Sequence, residues 1–224
     1  MNRGHSAKIV SIKYITDIVY SHRESLRAAE IQPAPALLEA ISSYCDLLLR
    51  WNRKINLTTI TDPLEILERN FVESFYGALW LTDQSGVLCD VGSGAGFPGL
   101  ALKLVRPGWD VRLYEPNQKK AAFLAEVARQ LRLTGLDVVR ERWGDVDLPA
   151  SSLDAVTARA VGSYEAIAHK AWPALGRSGK LLLWIGAADV ERISRMAGWR
   201  WETKQVPGSR GRILLAGTPM RAQQ

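Results

Sequence analysis

The sequence predicts an α/β fold, a mostly parallel sheet covered by helices on both faces and preceded by a helical extension. Three observations carry this. From Val87 onward, short β-branched and apolar runs alternate with helix-length segments, the rhythm of strand–helix–strand units. A glycine-dense stretch, "DVGSGAGFPG" from Asp90 to Gly99, follows the first of these runs directly. The last two runs, "WRWETKQV" and "RILLAGT", flank the turn "PGSRG", which predicts an antiparallel hairpin at one sheet edge.

Taken in order, residues 36–51 place Leu37, Ile41, Tyr44, Leu48 and Trp51 at three- and four-residue intervals, an amphipathic helix behind the breaker "QPAP". A second helix is expected to start with Asp62 as N-cap and Pro63 at the first helical position, Glu65 completing a capping-box-like start. The strands expected next are "VLCDV", "DVRLYE", "DVVRE", "LDAVTA" and "KLLLWI". Between them, a helix opens near Pro98, and residues 117–133 make another with Phe123, Val127 and Leu131 on one apolar face. The final "PMRAQQ" is expected to fray.

With 224 residues, 47% of them hydrophobic, the chain can bury a substantial core. The natural division is a helical extension over 1–80 and an α/β domain over 81–224, with residues 1–29 left unassigned. No run of eighteen apolar residues occurs, and "MNRGHSAKIVSIKY" lacks the apolar centre of a secretory signal, so a soluble cytoplasmic protein is expected. Cys45 and Cys89 belong to no CxxC or Cys/His spacing, and neither a disulfide nor a metal site is expected. His5, His22 and His169 are isolated and read as surface or packed side chains. The net charge is +6 and lies entirely after residue 80: the first 80 residues hold nine Lys/Arg and nine Asp/Glu, the remainder 20 and 14. Such a half attracts an anionic partner, nucleic acid among them.

The glycines at 92, 94 and 96 place free backbone N–H groups at the carboxyl edge of the sheet, where open α/β folds bind ligands. Two ligand classes compete. Gly94, Gly96 and Gly99 can be read as the dinucleotide fingerprint G-x-G-x-x-G, but the first glycine then falls two residues late for a strand ending at Val91. The register D-x-G-x-G-x-G from Asp90 fits better and is the pattern of Rossmann-like methyltransferases that use S-adenosylmethionine. Glu115, about twenty residues on at the end of "VRLYE", stands where a carboxylate accepts both ribose hydroxyls of an adenosine. Asp145 with Trp143, in "RERWGDV", stands where such enzymes contact adenine; a structural acid and a core tryptophan are the competing readings.

Several motifs carry a closer resemblance. "LLLRWNRKINLTTITDP", "DVGSGAGFPGLALKLVRP", "NQKKAAFL" and "DAVTARAVGSY" are similar to segments of the bacterial small-subunit rRNA guanine-N7 methyltransferases first named glucose-inhibited division protein B, over roughly residues 30–218. The resemblance implies a class I methyltransferase fold with a mostly parallel seven-stranded sheet, and S-adenosylmethionine as cofactor. It implies N7 of a guanine in the decoding-region loop of 16S rRNA as the target, and a monomer acting on that RNA or on the small subunit. On the cofactor side it implies Asp90, Gly92, Gly94, Gly96, Phe97, Glu115, Trp143, Gly144, Asp145 and Arg159. Arg159 is also the expected catalytic residue, holding guanine O6 or a neighbouring phosphate; Lys119, Lys120, Arg142, Asn56 and Arg69 are the expected RNA contacts. No cysteine nucleophile and no Asp/Asn-Pro-Pro-aromatic tetrad is present, which suits an acceptor nitrogen that carries no proton. The sequence departs from the family pattern at three places: Asn70 stands where the family has histidine, Glu73 where it has aspartate, and Ile185 where it has lysine. A small-molecule methyltransferase, or an inactive RNA-binding relative of the same fold, is the alternative.

Overall fold

The computed structural model describes residues 11–206, 209 and 211–221. Its sheet has seven strands: β1 (Val87–Val91), β2 (Asp110–Tyr114), β3 (Leu136–Val139), β4 (Leu153–Arg159), β5 (Leu175–Gly186), β6 (Trp199–Gln205) and β7 (Arg212–Pro219). They lie in the order β3-β2-β1-β4-β5-β7-β6. β1 to β5 pair in parallel, and β7 runs antiparallel to both β5 and β6. The expected hairpin is therefore present at the edge, but it turns inward, so that β7 fills the place beside β5 and only β6 is exposed along one side. Residues 207, 208 and 210 of its turn, like His5 and residues 222–224 of the C-terminal "PMRAQQ", lie outside the described residues. Strand order reverses between β1 and β4, and the crevice above their carboxyl ends is the ligand position of this topology.

The N-terminal part is helical: α1 (Ile12–Ser21), a 3-10 turn (Arg23–Ala29) and α2 (Pro35–Asn52). A continuous helical run follows, made of α3 (Pro63–Ile66), a π segment (Leu67–Val72), α4 (Glu73–Phe75) and a 3-10 segment (Tyr76–Trp80). Asp62 caps this run as expected, its side chain accepting the Glu65 N–H at 2.9 Å with Pro63 at the first position. The reciprocal capping-box bond does not form, because the Glu65 carboxylate takes Arg69 instead. The π segment re-aims one turn of the helix, as such bulges do beside functional sites, and it carries Arg69 and Asn70 with Glu73 next in line.

The helices of the sheet domain are α5 (Gly99–Val105), α6 (Gln118–Gln130), α7 (Tyr164–Ala174) and α8 (Ala187–Ser194). α6 stops three residues before the expected 133, since Arg132 and Gly135 adopt positive φ to turn the chain into β3. Side chains alternate between two core layers. Leu88, Leu113, Leu182, Trp184 and Leu214 face a layer shared with Tyr44, Leu48, Phe71 and Phe75 of the N-terminal helices and Phe123 of α6. Cys89, Val156, Leu181, Leu183, Ile185 and Leu215 face the other layer with Ile167, Ala171 and Ile193 of α7 and α8. Burial on both faces is why these strands read as continuous apolar runs. The N-terminal helices thus form one wall of the sheet's own core. Ile185 is apolar because it points into the layer under α7 and α8, with 2% of its surface exposed. Among the described residues, no helix is long and apolar enough to cross a membrane.

Candidate active site

The loop after β1 is shaped by glycine. Gly92, Gly94 and Gly96 all have positive φ, and the most constrained is Gly96: a Cβ there would stand 2.1 Å from the Tyr44 hydroxyl. That hydroxyl, reaching up from α2, donates to the Ala95 carbonyl at 2.6 Å and ties the N-terminal helices to the underside of the loop. Gly94 faces open space, its nearest neighbour to a built Cβ being the Gly92 carbonyl at 3.8 Å.

Two expected cofactor residues turn out to support the loop from below. Asp90 is fully buried; its carboxylate accepts the Thr157 hydroxyl of the adjacent strand at 2.6 Å, and the start of α5 packs on it so closely that a Cβ at Gly99 would come within 2.4 Å of its own Cβ. Phe97 is turned inward by the positive φ at Gly96 and stacks on Tyr44 at 5.3 Å, edge-on to Phe71 at 5.0 Å. The side chains of Asp90 and Phe97 face inward and brace the loop from beneath.

Burial pushes the Asp90 carboxyl up to about 6 against the pull of the Thr157 hydroxyl. A carboxyl raised in the folded state binds its proton more tightly there than in the unfolded chain. Its contribution to stability is therefore fully present below about pH 4 and is lost as pH rises through about 6. Asp90→Asn keeps an acceptor for Thr157 and removes the titration. Chemical denaturation of both proteins from pH 4 to 8 is expected to show the wild type losing on the order of 2–3 kcal/mol relative to the variant across that window. A parallel pair of curves would disprove the assignment.

Glu115, just beyond β2, is buried, and its carboxylate accepts the backbone N–H groups of Gly94 and Asn117, each at 2.8 Å. Two backbone bonds leave half of its acceptor capacity for a diol, which is what an adenosine ribose presents. Beside it, Gly144 and Gly162 have nothing within 4 Å of a built Cβ, so the crevice between the β1, β2 and β4 ends is open. Asp145 is exposed at its rim. Trp143 is buried edge-on to Tyr114 at 5.3 Å, and its indole N–H has no protein partner among the described residues. Glycines without Cβ, a half-used carboxylate and an unpartnered indole N–H fit an adenosine-bearing cofactor such as S-adenosylmethionine. Among the described residues, no three His, Cys, Asp or Glu side chains gather as for a metal ion.

Arg159 ends β4 on the other side of the crevice. Its guanidinium is nearly buried, with Nη2 3.2 Å from Asn70 Oδ1 and 3.6 Å from the Glu73 carboxylate. Nη1 has no partner within the described residues. Arg212, at the start of β7, reaches the same Glu73 oxygen at 3.2 Å. Burial raises the Glu73 carboxyl while the two guanidiniums oppose it, and burial lowers Arg159 to about 10, which leaves it cationic at neutral pH. Asn70 and Glu73, two of the three departures from the family pattern, are thus the residues that hold Arg159. Arg212 and Tyr44 escaped sequence reasoning: neither lies in a motif, and each acts across a long stretch of chain.

The expected RNA contacts fall in four places. Lys119 and Lys120 occupy the first turn of α6, where Asn117 Oδ1 accepts both of their N–H groups. Asn56 is exposed on the loop after α2, and Arg142 is exposed before Trp143. Arg69 pairs with Glu65 and lines a polar cleft of about 600 Å³ with Glu73 and Arg212, beside Arg159.

A family model described as rRNA small subunit methyltransferase G matches residues 37–204. Proteins called ribosomal RNA small subunit methyltransferase G are similar over most of the chain. The one from Xanthomonas campestris pv. campestris (strain B100) is 38% identical over 172 residues, covering 75% of this chain and 80% of that protein. The one from Roseiflexus castenholzii is 38% identical over 190 residues, covering 80% and 81%. Among solved structures, a SAM dependent methyltransferase from Aquifex aeolicus superposes with a TM-score of 0.56 at 17% identity, covering 70% of this chain and 94% of that one. A ribosomal protein L11 methylase from Lactobacillus delbrueckii subsp. bulgaricus does so with a TM-score of 0.56 at 16% identity, covering 68% and 79%. These two likenesses speak to the fold, a class I methyltransferase sheet, while the family match and the identities speak to lineage: the chain belongs to the rRNA small subunit methyltransferase G family.

Proposed function

We propose that the protein transfers a methyl group from S-adenosylmethionine to N7 of a guanine in 16S rRNA, acting as a monomer in the cytoplasm on the RNA or the small subunit that carries it. Membership in its family makes it an rRNA methyltransferase that uses this cofactor. The observation that carries the target side is Arg159, a buried cation at the end of β4, fixed on one nitrogen by Asn70 and Glu73 and unpartnered on the other.

S-adenosylmethionine, when bound, supplies a methyl group on a positively charged sulfur. The glycine loop and Glu115 hold its amino acid and ribose parts in the crevice. Guanine N7 attacks with an in-plane lone pair and carries no proton, so no general base is required. The chain's residues have to align acceptor with donor and accommodate charge as it redistributes. Arg159 serves by donating to O6 of the guanine or to a phosphate beside it; a fork engaging both O6 and N7 would block the attack.

The test is nucleoside-resolved mass spectrometry of 16S rRNA from cells with and without the gene, together with small subunits from the deletion strain incubated with purified protein and S-adenosylmethionine. A 7-methylguanosine lost on deletion and restored in vitro is expected. An unchanged level refutes the assignment of the target.

A further inference from the structure

Outside the crevice, the carboxyl end of α2 and the first turn of α6 enclose a groove of about 580 Å³. Its floor is apolar and is built from Trp51 and Ile55; its rim carries Arg50, Arg53, Lys54 and Lys119. Trp51 is half-buried and braced from behind by Phe123, with ring centroids 5.7 Å apart. Arg50 is engaged by Asp46 at 2.9 Å, whereas Arg53, Lys54 and Lys119 form no ion pair among the described residues. The groove is also preformed. Asn52 Oδ1 accepts the N–H groups of Leu57 and Thr58 at 2.8 and 3.0 Å, and its Nδ2 donates to the Thr58 carbonyl at 2.9 Å, closing the loop that displays Arg53, Lys54 and Ile55.

An aromatic and aliphatic floor ringed by three unpaired cations matches one ligand chemistry in particular. Single-stranded RNA offers both a base to stack and phosphates to neutralise, whereas a duplex keeps its bases stacked inside. The groove's lining reaches the helix that starts beside the crevice. Lys119 lies in the first turn of α6, whose cap Asn117 donates its backbone N–H to Glu115.

We propose that this groove docks an unpaired segment of the RNA substrate close to the target guanine, one base lying on Trp51 and Ile55 and the flanking phosphates on Arg53, Lys54 and Lys119. The inference rests on the RNA methyltransferase reading above.

The test measures binding of a fluorescein-labelled, unstructured single-stranded RNA 12-mer between 50 and 200 mM salt, alongside binding of S-adenosylmethionine. Arg53→Ala/Lys54→Ala is expected to weaken the RNA about tenfold and to flatten the log–log salt slope by about 1.4, two single-strand phosphate contacts. Trp51→Ala is expected to weaken it at least about fivefold, with Trp51→Phe restoring most of the loss because the ring remains. Cofactor affinity is expected to stay within about twofold in all three, since none of these residues borders the crevice; Trp51→Phe and the double variant keep the test decisive should Trp51→Ala unfold. Variants that bind the 12-mer like wild type overturn the groove, as does a duplex of equal length that binds as tightly and loses affinity equally. A wild-type protein that makes no 7-methylguanosine overturns the proposed function instead, and the oligonucleotide titration still reads the groove independently.

Discussion

Gly96→Ala is expected to unfold the cofactor loop, lowering stability by about 3 kcal/mol and S-adenosylmethionine affinity at least about 100-fold. Two costs coincide at this position. Its φ of +90° is a conformation L-residues rarely adopt, and the added methyl would stand 2.1 Å from the Tyr44 hydroxyl. The hydroxyl cannot step aside without breaking its bond to the Ala95 carbonyl, and Tyr44 is packed between Phe97, Phe71 and Phe123. Gly94→Ala is the control: it shares a positive φ but meets nothing closer than 3.8 Å, so only the backbone cost of about 1–2 kcal/mol remains. Thermal denaturation and calorimetric titration with S-adenosylmethionine read both quantities. Adding Tyr44→Phe to Gly96→Ala is expected to return part of the stability by removing the atom that clashes. Equal behaviour of the two alanine variants would show that the contact with Tyr44 carries no weight.

Arg159→Ala is expected to lower kcat/KM on small subunits at least about 100-fold while changing S-adenosylmethionine affinity by less than about threefold. The split follows from where the guanidinium points. It is held by Asn70 and Glu73 on the N-terminal helical run, whereas Glu115 stands beyond β2. Removal leaves the buried Glu73 with Arg212 alone, and a stability loss of about 2 kcal/mol is expected, because a buried charge that loses one of two partners recovers little from solvent. Arg159→Lys retains the charge without the planar fork and is expected to recover stability more than rate. A variant whose cofactor affinity falls as steeply as its turnover would place Arg159 on the cofactor instead of the target base.

Features set by neighbouring residues were legible in the sequence. Asp62 capping α3 with Pro63 behind it, and Asn117 opening α6, depend on side chains bonding N–H groups two or three positions away. The register from Asp90 through Gly96 announced a glycine-shaped loop after β1 because positive φ and strand ends leave residue-type signatures. Alternating runs announced the sheet, and the two final runs its antiparallel hairpin.

Other features were decided only when distant segments met. Asp90 meets Thr157 of β4 and the start of α5, and Phe97 meets Tyr44 of α2, only through contacts across the chain. Asn70, Glu73 and Arg212 become one cluster around Arg159 because a π turn re-aims the helix and β7 slots beside β5 instead of standing at the edge. Local backbone preferences and hydrophobic periodicity are written within a few residues and so determine elements, loop and cofactor class. Which side chain is sealed beneath the loop, and which charged groups gather around Glu73, depends on packing between segments tens of residues apart, and that only the tertiary structure decides.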